Sequence, residues 1–173
     1  CLERERAARY DSARALAEAG RGVALWDIDA AKAQREATVV SEEFGVKSLA
    51  LGIDLTDLAA YPAAIARSRA VLGPIGGLVH AAGIVDTDSL EGITPASWAA
   101  GIDTHLRPLA LLTQALLPDL CANPGSAIVA IASINATLGN AMNPVYSAAK
   151  GGILSLVRSL ADRLARDGVR INA

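Results

Sequence analysis

The sequence is poor in the residues that most often announce a specialised class of protein. Two cysteines, one methionine, two histidines, two tryptophans, three tyrosines and one phenylalanine occur in 173 residues. Cys1 and Cys121 cannot build a disulfide framework and match no metal-ligand spacing. No metal site is therefore expected, and the setting expected is reduced and cytoplasmic. The apolar runs are too short and interrupted to span a bilayer, and no charged segment leads into an apolar one as in a signal peptide. Acidic and basic residues are interspersed at a net charge of −2. That balance argues against a nucleic-acid or membrane surface as partner. With 52% apolar residues and only 3% aromatics, the core must be aliphatic and rich in alanine. Residues 1–173 read as a single, partial domain. The chain opens on Cys1 and stops at Ala173 without a closing element, so it reads as a piece of a longer one.

What is present is an alternation of helix and strand patterns. Residues 1–12 are charged, and a helix is the regular structure that fits them. The helix 13–20 ends at Gly20, as a C-terminal cap would. A strand over 22–26 ends in Asp27-Ile28-Asp29, and a helix over 30–44 closes at Gly45. A strand over 47–53 follows, with Asp54 at its carboxyl end. Thr56 is placed to cap a helix running to Leu72, which Gly73-Pro74 breaks. A strand over 75–79 leads into His80-Ala81-Ala82-Gly83. After a polar loop, Thr94 or Ser97 opens a long helix to Leu120, bent or broken near Pro108. Asn123-Pro124-Gly125 is a turn, residues 127–132 are a strand apolar on both faces, and Pro144 starts a helix to Arg166. Residues 169–172 begin another strand. This pattern means βαβ units and an α/β fold with a parallel sheet.

The chemistry concentrates between Ser133 and Lys150, in SINATLGNAMNPVYSAAK. Tyr146 and Lys150 lie at i, i+4 and share a helix face. A phenol has an unperturbed pKa of about 10 and is a poor acid or base at neutrality. A neighbouring ammonium favours the phenolate and brings that value toward working pH. A serine hydroxyl facing the phenol could hold a carbonyl or carbinol oxygen beside it. Such a trio interconverts an alcohol and a ketone by moving a proton.

The segment IVAIASINATLGNAMNPVYSAAKGGILSLVRSLADRLARDGVRINA resembles the catalytic segment of the short-chain dehydrogenase/reductases, and the resemblance runs from about Ala13 to Ala173. It implies a Rossmann-like, doubly wound parallel sheet flanked by helices. It also implies that Tyr146 is the general acid/base, that Lys150 lowers its pKa and binds the nicotinamide ribose, and that Ser133 orients the substrate. Dinucleotides bind outside the carboxyl ends of such strands. Asp27 is placed to accept from an adenosine ribose diol, and its charge would repel a 2′-phosphate, which favours NAD over NADP. Alternatively Asp27 is a turn aspartate, although Asp29 suits the helix cap better. Asp54 resembles the aspartate that contacts adenine, with Leu55 beside it; it could equally cap the helix near Thr56.

The chain departs from the family at two histidines and three absences. His80 stands for the asparagine of the Asn-Ala-Ala-Gly turn, where Ala81 and Gly83 let backbone approach the cofactor. His105, in Asp-Thr-His-Leu, stands where the family has an asparagine that supports a lysine-linked water. It serves either in a proton relay or as a satisfied histidine on the helix surface. The family's glycine-rich phosphate turn should fall within residues 1–10, which contain no glycine and carry Glu3 and Glu5. The first strand, which the order 3-2-1-4-5-6-7 places centrally, and the last strand are also missing.

Three readings follow. The leading one is an NAD-dependent oxidoreductase for a small secondary alcohol or its ketone, assembled as a homodimer or homotetramer through helices carrying Ala110, Leu111, Leu154 and Leu156. A nucleotide-sugar epimerase or dehydratase shares the Tyr-x-x-x-Lys device but adds a C-terminal substrate domain, of which no trace is seen. A degenerate, non-catalytic binding or assembly module is the third. Ala136, Leu138, Met142 and Val145 read as an apolar pocket wall.

Overall fold

A computed structural model describes residues 2–173, with side chains from Tyr10 onward. Cys1 and the side chains of Glu3 and Glu5 therefore lie outside what is described. The chain forms two compact units, Cys1–Ile75 and Gly76–Ala173.

In the first unit, α1 spans Leu2–Glu18, so the glycine-free stretch before Ala13 is helical from Leu2 onward. β1 (Val23–Asp27), α2 (Ala30–Phe44) and β2 (Ser48–Gly52) follow. The Asp29 carboxylate caps α2 by accepting from the Lys32 N–H at 2.9 Å, and Gly45 ends it in the left-handed region at φ 65°. β1 and β2 pair in parallel, from Val23 opposite Ser48 to Asp27 opposite Gly52. Ala33, Ala37 and Val40 of α2 repeat at helical spacing and are buried. Val40 forms a cluster with Ala17 and Val23, against which Phe44 and Val46 pack. Alanines at these contacts replace the missing aromatic bulk.

The expected cap at Thr56 is not formed. Thr56 gives both its N–H and its hydroxyl to the Asp54 carboxylate, each at 2.8 Å. Asp57 caps a 3-10 turn over Leu58–Ala60 instead, and α3 begins only at Tyr61 and runs to Leu72. The Thr56 hydroxyl is engaged by a carboxylate two residues back and so does not cap the helix.

The second unit contains β3 (Gly77–His80), α4 (Pro95–His105), α5 (Arg107–Ala122), β4 (Ala127–Ala130), α6 (Asn135–Leu138), α7 (Pro144–Ala165) and β5 (Arg170–Asn172). Its sheet has the order β3-β4-β5, parallel throughout. Thr94 opens α4 with a reciprocal capping box to Ser97. The long helix breaks at Leu106, because Pro108 in the first turn of α5 has no N–H to continue the ladder. Leu109, Leu112, Leu116 and Leu120 of α5 are buried, and so are Ala149, Ile153, Val157 and Leu164 of α7. Each such fully buried leucine or isoleucine contributes about 1.5–3 kcal/mol. Among the described residues the two sheets share no strand, and pairing stops at β1 in one unit and at β3 in the other. The architecture is α/β, parallel sheets flanked by helices, as in Rossmann-like proteins.

Candidate active site

Tyr146 and Lys150 sit one turn apart on α7 and are 4% exposed each. A lysine this deeply buried needs partners for its ammonium. It donates to the Ile131 carbonyl at 2.5 Å, and its Nζ lies 5.5 Å from the centre of the Tyr146 ring. Ile131 follows β4 and gives its own N–H to the His80 carbonyl at 2.9 Å, so the pairing with β3 continues one residue past the end of β4. Ser133 comes two residues later, and its hydroxyl oxygen accepts from the Asn135 N–H at 3.2 Å. Asn135 in turn donates to Asn143 at 2.9 Å, which draws α6 to the start of α7. The serine-bearing strand end and the tyrosine helix are thus tied at two points.

The two histidines are buried in the same unit. His105 is fully buried, which rules out a helix-surface role. Its Nε2 lies 2.6 Å from the Ile84 carbonyl and 3.0 Å from the Ile84 N–H. Its ring meets Tyr146 edge-on, with centres 5.4 Å apart and planes at 80°. His80 places its Nε2 2.7 Å from the His105 carbonyl. Gly83 is required by this packing, since a Cβ there would stand 2.3 Å from His105 Cε1. Ala81, between His80 and Gly83, is half-buried.

Asp86 went unnoticed in the sequence. Its carboxylate accepts from the Tyr146 N–H at 2.8 Å and from the Val145 N–H at 3.3 Å, closing the start of α7. Nothing local marks it, because its partners lie 59 and 60 positions away. Val145 is not a pocket wall. It is 2% exposed, and it packs so tightly against α4 that a Cβ on Gly101 would meet its Cγ1 at 2.5 Å. Leu138 and Met142 are exposed, at 77% and 58%.

In the first unit, Asp27 and Asp54 stand at the carboxyl ends of adjacent strands, and the Ile53 N–H joins the Asp27 carbonyl at 2.9 Å. Tyr10 of α1 donates its hydroxyl to Asp27 Oδ2 at 3.0 Å, and the Asp29 N–H donates to Oδ1 at 3.0 Å. Asp27 is thus part of a turn. The Thr56 donors, the backbone N–H first, hold the Asp54 carboxyl below its ordinary range. The Leu55 carbonyl accepts from the Tyr61 hydroxyl at 2.6 Å. No helix among the described residues is long and apolar enough to cross a membrane.

The family model described as enoyl-(acyl carrier protein) reductase matches residues 9–173. The chain is 34% identical to an inactive 2-(S)-hydroxypropyl-CoM dehydrogenase of Xanthobacter autotrophicus, over 92% of this chain and 68% of that one. It is 35% identical to a probable galactose dehydrogenase of Rhizobium meliloti, over 92% and 62%. An NADPH-bound short chain oxidoreductase of Pseudomonas aeruginosa, described as containing an atypical catalytic centre, superposes with a TM-score of 0.87 at 27% identity, over 92% and 63%. The chain therefore spans roughly two thirds of the length of the relatives it matches. It belongs to the short-chain dehydrogenase/reductases, an oxidoreductase family whose members bind a nicotinamide cofactor.

Proposed function

We propose that this chain carries the proton-transfer site of an NAD-dependent oxidoreductase that interconverts a secondary alcohol and its ketone. One observation carries the reading. Tyr146 and Lys150 are buried one turn apart, and the lysine is tied to the strand end that leads into Ser133. An ammonium beside a phenol favours the phenolate, which is why this pair can exchange a proton near neutrality. Tyr146 gives its proton to the carbonyl oxygen during reduction and takes it from the carbinol during oxidation. The Ser133 hydroxyl holds that same oxygen, and His105, edge-on to the phenol, serves the proton relay. A nicotinamide held beside these residues would supply or accept the hydride.

The residues present suit such a cofactor in two parts. Around its ribose and nicotinamide, Lys150 supplies a buried cation, Tyr146 a hydroxyl, and the turn His80-Ala81-Ala82-Gly83 small residues. On the adenosine side, Asp27, Asp54 and Leu55 line adjacent strand ends. A carboxylate has about four lone-pair sites, so Asp27 can take a ribose hydroxyl alongside Tyr10 and the Asp29 N–H. Its charge disfavours a 2′-phosphate and supports NAD, although the Pseudomonas relative holds NADPH. The two units are parts of one Rossmann-type domain in this reading. Copies of the chain pair through α5 and α7, where Ala110, Leu111, Leu154 and Leu156 are half-buried.

A non-catalytic binding module is the second reading, and one observation favours it. α1 is helical from Leu2, without a glycine, where a phosphate-binding turn belongs. Titrating NADH while following nicotinamide fluorescence separates the two. Saturable binding, followed by turnover in a screen of secondary alcohols with NAD, supports the enzyme; no binding supports the module.

A further inference from the structure

Helix α7 starts without a cap of its own. Asn143 makes no side-chain capping bond, and Pro144 has no N–H to offer. The N–H groups of Val145 and Tyr146 are first-turn orphans that need an acceptor. Asp86, from the loop between β3 and α4, supplies both its oxygens to them, at 3.3 and 2.8 Å. Its negative charge also sits at the positive end of the helix dipole.

The same loop is fastened a second time. Ile84, two residues before Asp86, has its N–H and carbonyl against His105 Nε2, and the His105 ring lies edge-on to Tyr146. Tyr146 is thus gripped at its backbone by Asp86 and at its ring by His105, and both grips lead to one three-residue stretch of loop.

We propose that Asp86 is a positioning residue: by accepting from the Val145 and Tyr146 N–H groups, its carboxylate fixes the first turn of α7 and so the placement of the Tyr146 hydroxyl. The proposal rests on Tyr146 being the proton-transfer group. Asp86 itself touches no reacting atom. Its effect is larger on the rate of the chemical step than on cofactor affinity, because of the groups placed around the cofactor only Tyr146 takes its backbone bond from Asp86.

The test uses the full chain with Asp86→Ala, Asp86→Glu and, in parallel, Tyr146→Phe. Asp86→Ala is expected to lower kcat at least tenfold, measured well below the melting temperature, with the NADH dissociation constant raised by a smaller factor; an ångström of misplacement can cost about a hundredfold in rate. Asp86→Glu keeps the charge but moves the carboxylate by one methylene. It is expected to stay folded and lose several-fold in kcat, which covers the case in which the alanine variant does not fold. Amide hydrogen exchange gives a readout without turnover. Exchange at the Tyr146 N–H should accelerate about tenfold in either folded variant, the size expected for loss of a cap. Unchanged kcat with a lowered melting temperature makes Asp86 a structural cap only and overturns the proposal, as does unchanged exchange at Tyr146. Turnover retained by Tyr146→Phe overturns the underlying reading instead.

Discussion

The Lys150 ammonium donates to the Ile131 carbonyl at 2.5 Å, two residues before Ser133. This bond joins the helix that bears the tyrosine to the strand end that bears the serine. Lys150→Met keeps the aliphatic stem but leaves that carbonyl without this donor. An unsatisfied buried polar group costs about 1–3 kcal/mol, so chemical denaturation should show a loss of that size. NADH affinity should fall in the same variant, measured by fluorescence titration. A methionine variant as stable as wild type would show that the bond does not anchor the site.

Gly83 and His105 are in contact, with no room for one methyl group between them. Gly83→Ala must displace a fully buried ring that is itself bonded to Ile84. Overpacking of this kind costs about 1–3 kcal/mol. Thermal unfolding should register the loss, and near-ultraviolet circular dichroism should register a change around Tyr146. Equal stability would mean that the loop slides freely past the histidine.

Tyr10 donates to the carboxylate proposed to receive the adenosine ribose. Tyr10→Phe removes that donor and leaves more of Asp27 for the ribose diol. One hydrogen bond is worth about 0.5–1.5 kcal/mol net, so NADH binding should tighten by about two- to tenfold. Binding that is unchanged or weaker would separate Asp27 from the cofactor.

Asp54 titrates below the ordinary carboxylate range because the Thr56 N–H and hydroxyl donate to its ionised form. A folded-state pKa below the unfolded one stabilises the fold above the ordinary carboxylate range, and that contribution is lost as pH falls through the folded value. Thr56→Val removes one donor. The Asp54 titration followed by NMR should then move up toward the ordinary value, and a midpoint that does not move would contradict the assignment.

Local signals carried the architecture. The helix Ala30–Phe44 was bounded by Asp29 and Gly45, and the break near Pro108 followed from a missing N–H. Tyr146 and Lys150 were legible as a pair because i, i+4 spacing alone puts them on one face. What escaped depends on contacts distant in sequence. Asp86 caps a helix 59 residues away, and no pattern around it says so. His105 could be read as exposed or functional because its burial is decided by the Gly83 turn packing on it. Val145 looked like pocket lining until α4 was seen against it. The glycine at position 101, inside a helix, was the available hint, since such glycines mark a close approach. At Thr56 the hydroxyl is taken up by Asp54 while Asp57 accepts from the Ala59 N–H, and propensity could not rank the neighbouring caps.

The central claim is that the Tyr146 hydroxyl moves the proton. Steady-state turnover of Tyr146→Phe, with a secondary alcohol and NAD, tests it most directly, since positioned acid–base groups contribute about 10²–10⁴ in rate. The account predicts a loss in that range with far-ultraviolet circular dichroism preserved and NADH affinity lowered by about tenfold at most; a phenylalanine variant that keeps its rate within a few-fold of wild type would contradict it.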